Sequence, residues 1–370
     1  MGDSLVIQTD EHENETGPPI AGRPLLSICI PTYNRANWLD SAVRAVVPQV
    51  ARLGGQVELL VSDNCSPDST PDVIASTPGR EHIRYYRNEA NVGACLNVDL
   101  CVKRAAGEFV WVVGDDDLIR EGGVERVLKV LQEHREVDFV YVNVSTRLGS
   151  DRERFDRPVC GSDFPELTPA ASADLSERPL ESWNELVDPD VSRYFLGSIM
   201  SCVFRRSLWL RASDGLDLGA PFCSSLAAVY PHSLIFAGTM VGRKAYYLGH
   251  PCVIAFGSHW DWVGYQPAIL AVWLHRLLDT YEEHGVERWR IERCRRSLLL
   301  ASGPAAVQLL CNRSLPGRDS FSFCYYMKRY WRYKECWHGM LRLLPGWVKM
   351  PAKALISRVK AAARAGRRLR

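Results

Sequence analysis

The chain has 370 residues, 46% of them apolar and 24% charged, with a formal net charge of +2. This composition supports a globular protein with a substantial core and excludes a disordered or collagen-like chain. The twelve cysteines show no C-x-x-C spacing, so neither a zinc site nor a disulfide scaffold is expected, and reduced thiols in the cytosol fit.

Residues 1–23, rich in Glu, Asp, Pro and Gly, read as a disordered leader and lack the basic start and apolar run of a secretory signal. Strand and helix patterns then alternate. LLSICI (25–30) is a short continuous apolar run, as in a strand buried on both faces. NWLDSAVRAVVPQV (37–50) spaces its apolar residues as a helix does. QVELLVSD (56–63) is a second strand, DVIAS (72–76) a short helical piece and HIRYYRN (82–88) a third strand. GACLNVDLCVKRAAG (93–107) reads as a helix closed by Gly107. EFVWVVG (108–114), GVERVLKVLQEH (123–134) and VDFVYVNV (137–144) add a strand, a helix and a fifth strand. The alternation predicts an open, largely parallel α/β sheet.

Such sheets bind ligands outside the carboxyl ends of their strands. The polar clusters fall there: PTYN after the first strand, SDN after the second, RNEAN after the third and GDDD after the fourth. Residues 145–193 are loop-like. Apolar segments resume at 194–210 and 230–256, followed by helical patterns at 266–284 and 287–301. Neither 218–242, with Pro221, Pro231 and His232, nor 297–311, with Pro304, suits a membrane span. From Tyr325 to Arg370 thirteen Lys/Arg stand against one acid, Glu335. Interleaved with aromatics, they read as a segment lying on an anionic membrane surface, the alternative being a solvated tail. No nucleic-acid motif accompanies them.

Three adjacent carboxylates, Asp115, Asp116 and Asp117, at the end of a buried strand repel one another and are costly near a core. A bound cation is the simplest remedy, and an acidic solvated loop the alternative.

The segments LLSICIPTYNRANWLDSAV, VELLVSDNCSPDST and RYYRNEANVGACLNVDLCVKRAAGEFVWVVGDDD, in order and at this spacing, resemble family 2 of the glycosyltransferases. The resemblance covers about 25–145, and the run 230–259 is similar to abequosyltransferase-like members. It implies the GT-A nucleotide-sugar-binding fold over 24–262, with a donor half at 24–145 and an acceptor half at 194–262. A helical region at 263–324 and a basic tail at 325–370 would follow. Thr32, Tyr33 and Arg35 would meet the base and ribose, with Asp63 accepting hydrogen bonds from them and Asn64 in the turn beyond. Arg87 could face the pyrophosphate. Gly93 permits close backbone approach, and Asn91 or Asn97 either binds sugar hydroxyls or orders the loop.

The acidic motif would hold Mg²⁺ or Mn²⁺ through Asp116, with Asp117 following and Asp115 nearer the ribose or sugar. Many members read D-x-D-D here, and this chain has Gly114 where their first aspartate stands. His259 would close over the metal or diphosphate. The carboxylate pair that usually supplies the base is missing, and the matching place reads Val229-Tyr230-Pro231-His232. His232 and Asp261 are therefore both candidates for the base of an inverting transfer. The expected partners are a nucleoside-diphosphate sugar, a saccharide or lipid-linked acceptor, and an anionic membrane surface on the cytoplasmic side. Two other readings are a nucleotide-sugar-binding protein without turnover and a sugar-nucleotide pyrophosphorylase. The latter wants a glycine-rich basic loop after the first strand, which PTYNRAN does not supply.

Overall fold

The computed structural model describes residues 22–342 apart from 153–156, 165–171 and 258–261. The leader and residues 343–370 lie outside the described residues.

The first four strands are β1 (Leu26–Thr32), β2 (Val57–Asp63), β3 (Ile83–Arg87) and β4 (Phe109–Val112). They lie in the order β3-β2-β1-β4 and all pair in parallel. The crossover helices are α1 (Ala36–Leu53), α2 (Thr70–Ser76) and α3 (Ala94–Arg104). A further helix, α4 (Gly123–Glu133), packs on α1, while α3 covers β1 and β2. Every residue of β2 and β4 is buried, as is Leu26–Ile30 of β1, in keeping with the continuous apolar run there.

The second half departs from the simple alternation. Asp117–Ile119 forms a short strand, β5, where a loop was expected. It is followed by β6 (Phe139–Leu148), β7 (Glu177–Leu180), β8 (Cys202–Arg205) and β9 (Ala245–Gly257). The sheet continues β4-β8-β6-β9-β5, so β8 runs antiparallel between β4 and β6, whereas β6 and β9 are parallel. After β6 the chain re-enters the sheet first at β7, antiparallel to β9, and then at β8. Behind β8, Phe204 stacks on Trp209 at 5.0 Å, and Phe236 of the helix Pro231–Met240 packs at 5.2 Å.

The helical region comprises Leu274–Glu283, Arg288–Cys311, Phe323–Tyr330 and Lys334–Leu341. Pro304 does not end its helix. The Arg288–Cys311 helix runs seven residues past it, and Lys334–Leu341 packs on the turn just before it. The contact is backbone to backbone: a Cβ on Gly303 would lie 2.7 Å from the Met340 nitrogen, and one on Gly339 would lie 2.6 Å from the Leu299 oxygen. The expected start of the tail at 325 is corrected. Tyr326, Tyr330 and Cys336 are buried, so 323–341 belongs to the folded body. Among the described residues no helix is long and apolar enough to cross a membrane.

Candidate active site

Parallel pairing sets Thr32 opposite Asp63 and Asp63 opposite Arg87, so β1, β2 and β3 end in one row at the carboxyl edge of the sheet. Asp63 is fully buried and its carboxylate is well occupied. It accepts from the Ser66 amide at 2.8 Å and the Tyr85 hydroxyl at 2.6 Å, with Arg87 Nε at 3.3 Å. Burial, reinforced by this carboxylate, pushes the Tyr85 phenol up. Arg87 also donates to the Ser66 carbonyl at 2.9 Å. This corrects the expectation of an arginine aimed at a diphosphate, since its guanidinium is engaged in the loop after β2.

Asn64, Asn88 and Asn97 form a buried lattice, which Asn91 joins at its exposed edge. Asn64 donates to Asn91 Oδ1 at 2.7 Å and accepts from Asn88 Nδ2 and the Val92 amide, each at 3.0 Å. Asn97 donates to the Ser62 carbonyl at 3.0 Å and accepts from the Ser62 hydroxyl at 2.8 Å. Of the two roles open to Asn97, these partners favour ordering the loop, because an amide this well satisfied has little capacity left for a ligand, whereas Asn91 is exposed and is bonded through its Oδ1, by Asn64 Nδ2 and the Gly93 amide. Gly93 caps the start of α3 at φ 88, ψ 159, a conformation essentially reserved for glycine.

The acidic triplet adjoins β1. Thr32 Oγ1 donates to Asp115 at 2.7 Å, and Arg35 Nη1 lies 3.4 Å from Asp115 and 3.1 Å from Asp116. Tyr33 is exposed beside them, and Asn34 takes a left-handed φ of 56° while its amide donates to Ser66 Oγ at 2.9 Å. Burial, then the charge of Asp116, raises Asp115 to about 7, with Arg35 and Thr32 only partly opposing. The same two causes raise Asp117, whose carboxylate accepts from the Gly114 amide at 3.2 Å. Asp117 thus closes a turn with Gly114 at the foot of the triplet. Gly114 is required here: a Cβ would lie 2.7 Å from Asp116 Oδ1 and 2.9 Å from Asp117 Oδ2.

The negative charge at this edge exceeds what Arg35 compensates, so the donor set fits a cation. Among the described residues no three side chains converge as a preformed metal site.

On the far side, β5 pairs antiparallel with β9, Asp117 opposite Ala255, and β9 ends at Gly257. His259 and Asp261 lie outside the described residues.

His232 corrects a sequence expectation. Its imidazole is buried and contacts Tyr230 and Phe236, and its Nε2 has no hydrogen-bond partner in the protein. Burial lowers it to about 4, hydrogen bonding with the backbone of Gly197 and Leu196 opposing only in part. A general base must reach the hydroxyl it deprotonates, and an enclosed ring does not. The ring sits against three successive left-handed residues, Tyr194, Phe195 and Leu196, with φ of 53°, 53° and 69°. Each costs on the order of 1–2 kcal/mol. The turn is held by Ser233 Oγ donating to the Leu196 carbonyl at 3.0 Å and Tyr281 OH to the Phe195 carbonyl at 2.9 Å. It leads to Met200, whose carbonyl accepts from Trp111 Nε1 at 2.8 Å, near the end of β4.

Residues 27–182 match the model of Glycosyl transferase family 2. The chain is also 27% identical over 249 residues to abequosyltransferase RfbV of Salmonella typhimurium, covering 64% of this chain and 67% of that protein. Over residues 27–182 the chain is similar to the family 2 glycosyltransferases. The chain is also 30% identical over 112 residues to GalNAc(5)-diNAcBac-PP-undecaprenol beta-1,3-glucosyltransferase of Campylobacter jejuni, 30% of this chain and 35% of that one. S. aureus TarS in complex with UDP-GlcNAc superposes with a TM-score of 0.55 at 16% identity, covering 92% of each chain. At that identity the likeness shows the fold alone, and the fold is GT-A.

Sequence reasoning missed Tyr85 and the strained turn at 194–196. Tyr85 was legible, since strand alternation puts it on the same face as Arg87. The turn at 194–196 carries no glycine and left no local signal.

Proposed function

We propose that the protein moves a sugar from a nucleoside-diphosphate donor to a hydroxyl of a saccharide or lipid-linked saccharide, in surface polysaccharide assembly, with inversion and with Mg²⁺ or Mn²⁺. The observation that carries this is the acidic pair Asp115–Asp116, bridged by Arg35 and tied to β1 through Thr32 at the carboxyl edge of the sheet. The relatives' names, an abequosyltransferase and a glucosyltransferase whose name carries a diphospho-undecaprenol-linked saccharide, support the acceptor class.

Asp63, fixed by Tyr85 and Arg87, would receive the base or ribose, and exposed Tyr33 would offer a stacking face. Asp116, with Asp115, would hold the cation, which would neutralise charge on the departing diphosphate. With His232 enclosed, Asp261 becomes the proposed base. The pairing of Ala255 with Asp117 supports this, because β9 then leads toward the acidic triplet. His232 would act as a positioning residue beneath the 194–197 turn.

The test is a melting-temperature screen of UDP, GDP, CDP and dTDP with and without Mn²⁺, followed by donor hydrolysis. Metal-dependent stabilisation by one of them, with hydrolysis of its sugar conjugate, is expected. No stabilisation by any of the four would sink the reading. Binding without hydrolysis or transfer would instead favour a nucleotide-sugar-binding protein, since no described residue at the acceptor side is placed as a base.

A further inference from the structure

We propose that the carboxyl-terminal helical region contains a second carbohydrate site, a cavity that takes one pyranose ring of a saccharide chain. The cavity measures about 280 Å³ and lies between the segment 269–283 and the helix Phe323–Tyr330. Small-molecule sites span about 300–1,000 Å³, so this one is at the small end. Its volume equals that of about nine waters, enough for a ring of about a dozen non-hydrogen atoms and too little for a peptide segment.

The lining has the chemistry that sugars need. Tyr325 stands exposed at its mouth with Tyr326 and Tyr330 buried behind it, and Arg276, Asp279 and Arg329 supply planar charged groups. Aromatic faces receive the C–H face of a pyranose, while guanidinium and carboxylate groups bond its neighbouring hydroxyls. An anion alone would leave the rings unused.

The rear wall is already rigid. Tyr326 OH lies 2.8 Å from Ser302 Oγ, which lies 3.0 Å from His275 Nε2, and His275 stacks on Tyr330 at 4.4 Å. Burial, then the charges of Arg295 and Arg329, keeps His275 neutral. In front, Arg329 is ion-paired with Asp279 and donates to Tyr325 OH at 3.2 Å. Rings and charges fixed in this way lose little conformational freedom on binding. Tyr325 is 62% exposed, an unusual setting for a large ring unless it is a platform. The cavity shares no lining residue with the carboxyl edge of β1–β4.

That the ring belongs to the transferase's acceptor rests on the transfer reading, whereas binding of the ring does not. Full-length protein would be examined by saturation-transfer NMR with the methyl α-pyranosides of glucose, galactose, mannose and rhamnose. At least one is expected to receive saturation, and Tyr325→Ala and Arg276→Ala, both at exposed positions, should each weaken it about tenfold. Melting temperatures would verify that both variants fold, and their response to UDP and GDP should be unchanged. No signal from any of the four sugars, or a signal that survives both substitutions, overturns the site. Sugar binding lost in the variants, in a protein that binds no nucleoside diphosphate, upholds this site while removing the donor reading.

Discussion

Asp116 and Gly114 cannot be considered apart. The glycine has no Cβ, and the carboxylates of Asp116 and Asp117 occupy the space one would need. Asp116→Asn should abolish transfer and the Mn²⁺ dependence of nucleotide binding while leaving the melting temperature near wild type. Transfer that persists in excess EDTA would refute the metal role. Gly114→Asp, which would recreate the more usual acidic spacing, should not improve the enzyme. It should displace both carboxylates and weaken Mn²⁺-dependent nucleotide binding by about tenfold or more, roughly the loss of one charged contact. Unchanged affinity, measured by calorimetry, would contradict the crowding.

His232 makes a pH-dependent contribution at the same scale. Its folded value of about 4 lies below the ordinary 6.5, so the unfolded chain binds more protons between those values. Stability is therefore complete above about pH 6.5 and falls as the pH drops toward 4, by about 2 kcal/mol between pH 7 and pH 5. His232→Gln does not titrate, so denaturant melts should show a shallower acid loss than wild type. Parallel slopes would mean that the ring is accessible and ordinary. His275 titrates in the same direction, so the difference between the two proteins is the informative quantity.

Among elements, the crossing of Arg288–Cys311 with Lys334–Leu341 is set by two glycines facing each other's backbone. Neither backbone can yield as a side chain would. Gly303→Ala should cost about 1–3 kcal/mol, the usual penalty for overpacking. Hydrogen exchange should rise in 323–342 while nucleotide binding at the sheet edge stays intact. Exchange unchanged in that segment would show that the helices can move apart freely. The turn at 194–196 is the other element under stress. Tyr281→Phe removes its hydrogen bond to Phe195 and should destabilise the fold by about 1 kcal/mol. If the turn positions the acceptor, the variant should also lose transfer more than donor binding.

For the whole molecule, charge is divided along the chain. Residues 343–370 hold eight Lys/Arg and no acid, whereas the rest of the chain is acidic in balance. Such a segment should attract an anionic bilayer and be screened by salt. Removing 343–370 should abolish binding to phosphatidylserine-containing vesicles, and raising salt should weaken it in the intact protein. Equal binding to neutral vesicles, insensitive to salt, would exclude the electrostatic attachment.

The sequence by itself determined the donor half. Strand and helix periods there are local, and each polar cluster follows its own strand directly, so PTYN, SDN and GDDD could be placed at the carboxyl edge without knowing the pairing. What only the tertiary structure decided depended on contacts distant in the chain. What Asn64, Asn97 and Arg87 bond to was set by residues distant in the chain, Asn88 and Asn91, Ser62, and Ser66. Whether His232 faces solvent or the core was settled by Leu196, Gly197 and Phe236, none of them predictable from the residues around it. Pro304 lies inside a helix whose preceding turn packs against Lys334–Leu341, some thirty residues away. Burial and hydrogen-bond saturation are properties of the assembled chain, and a local pattern carries no record of them.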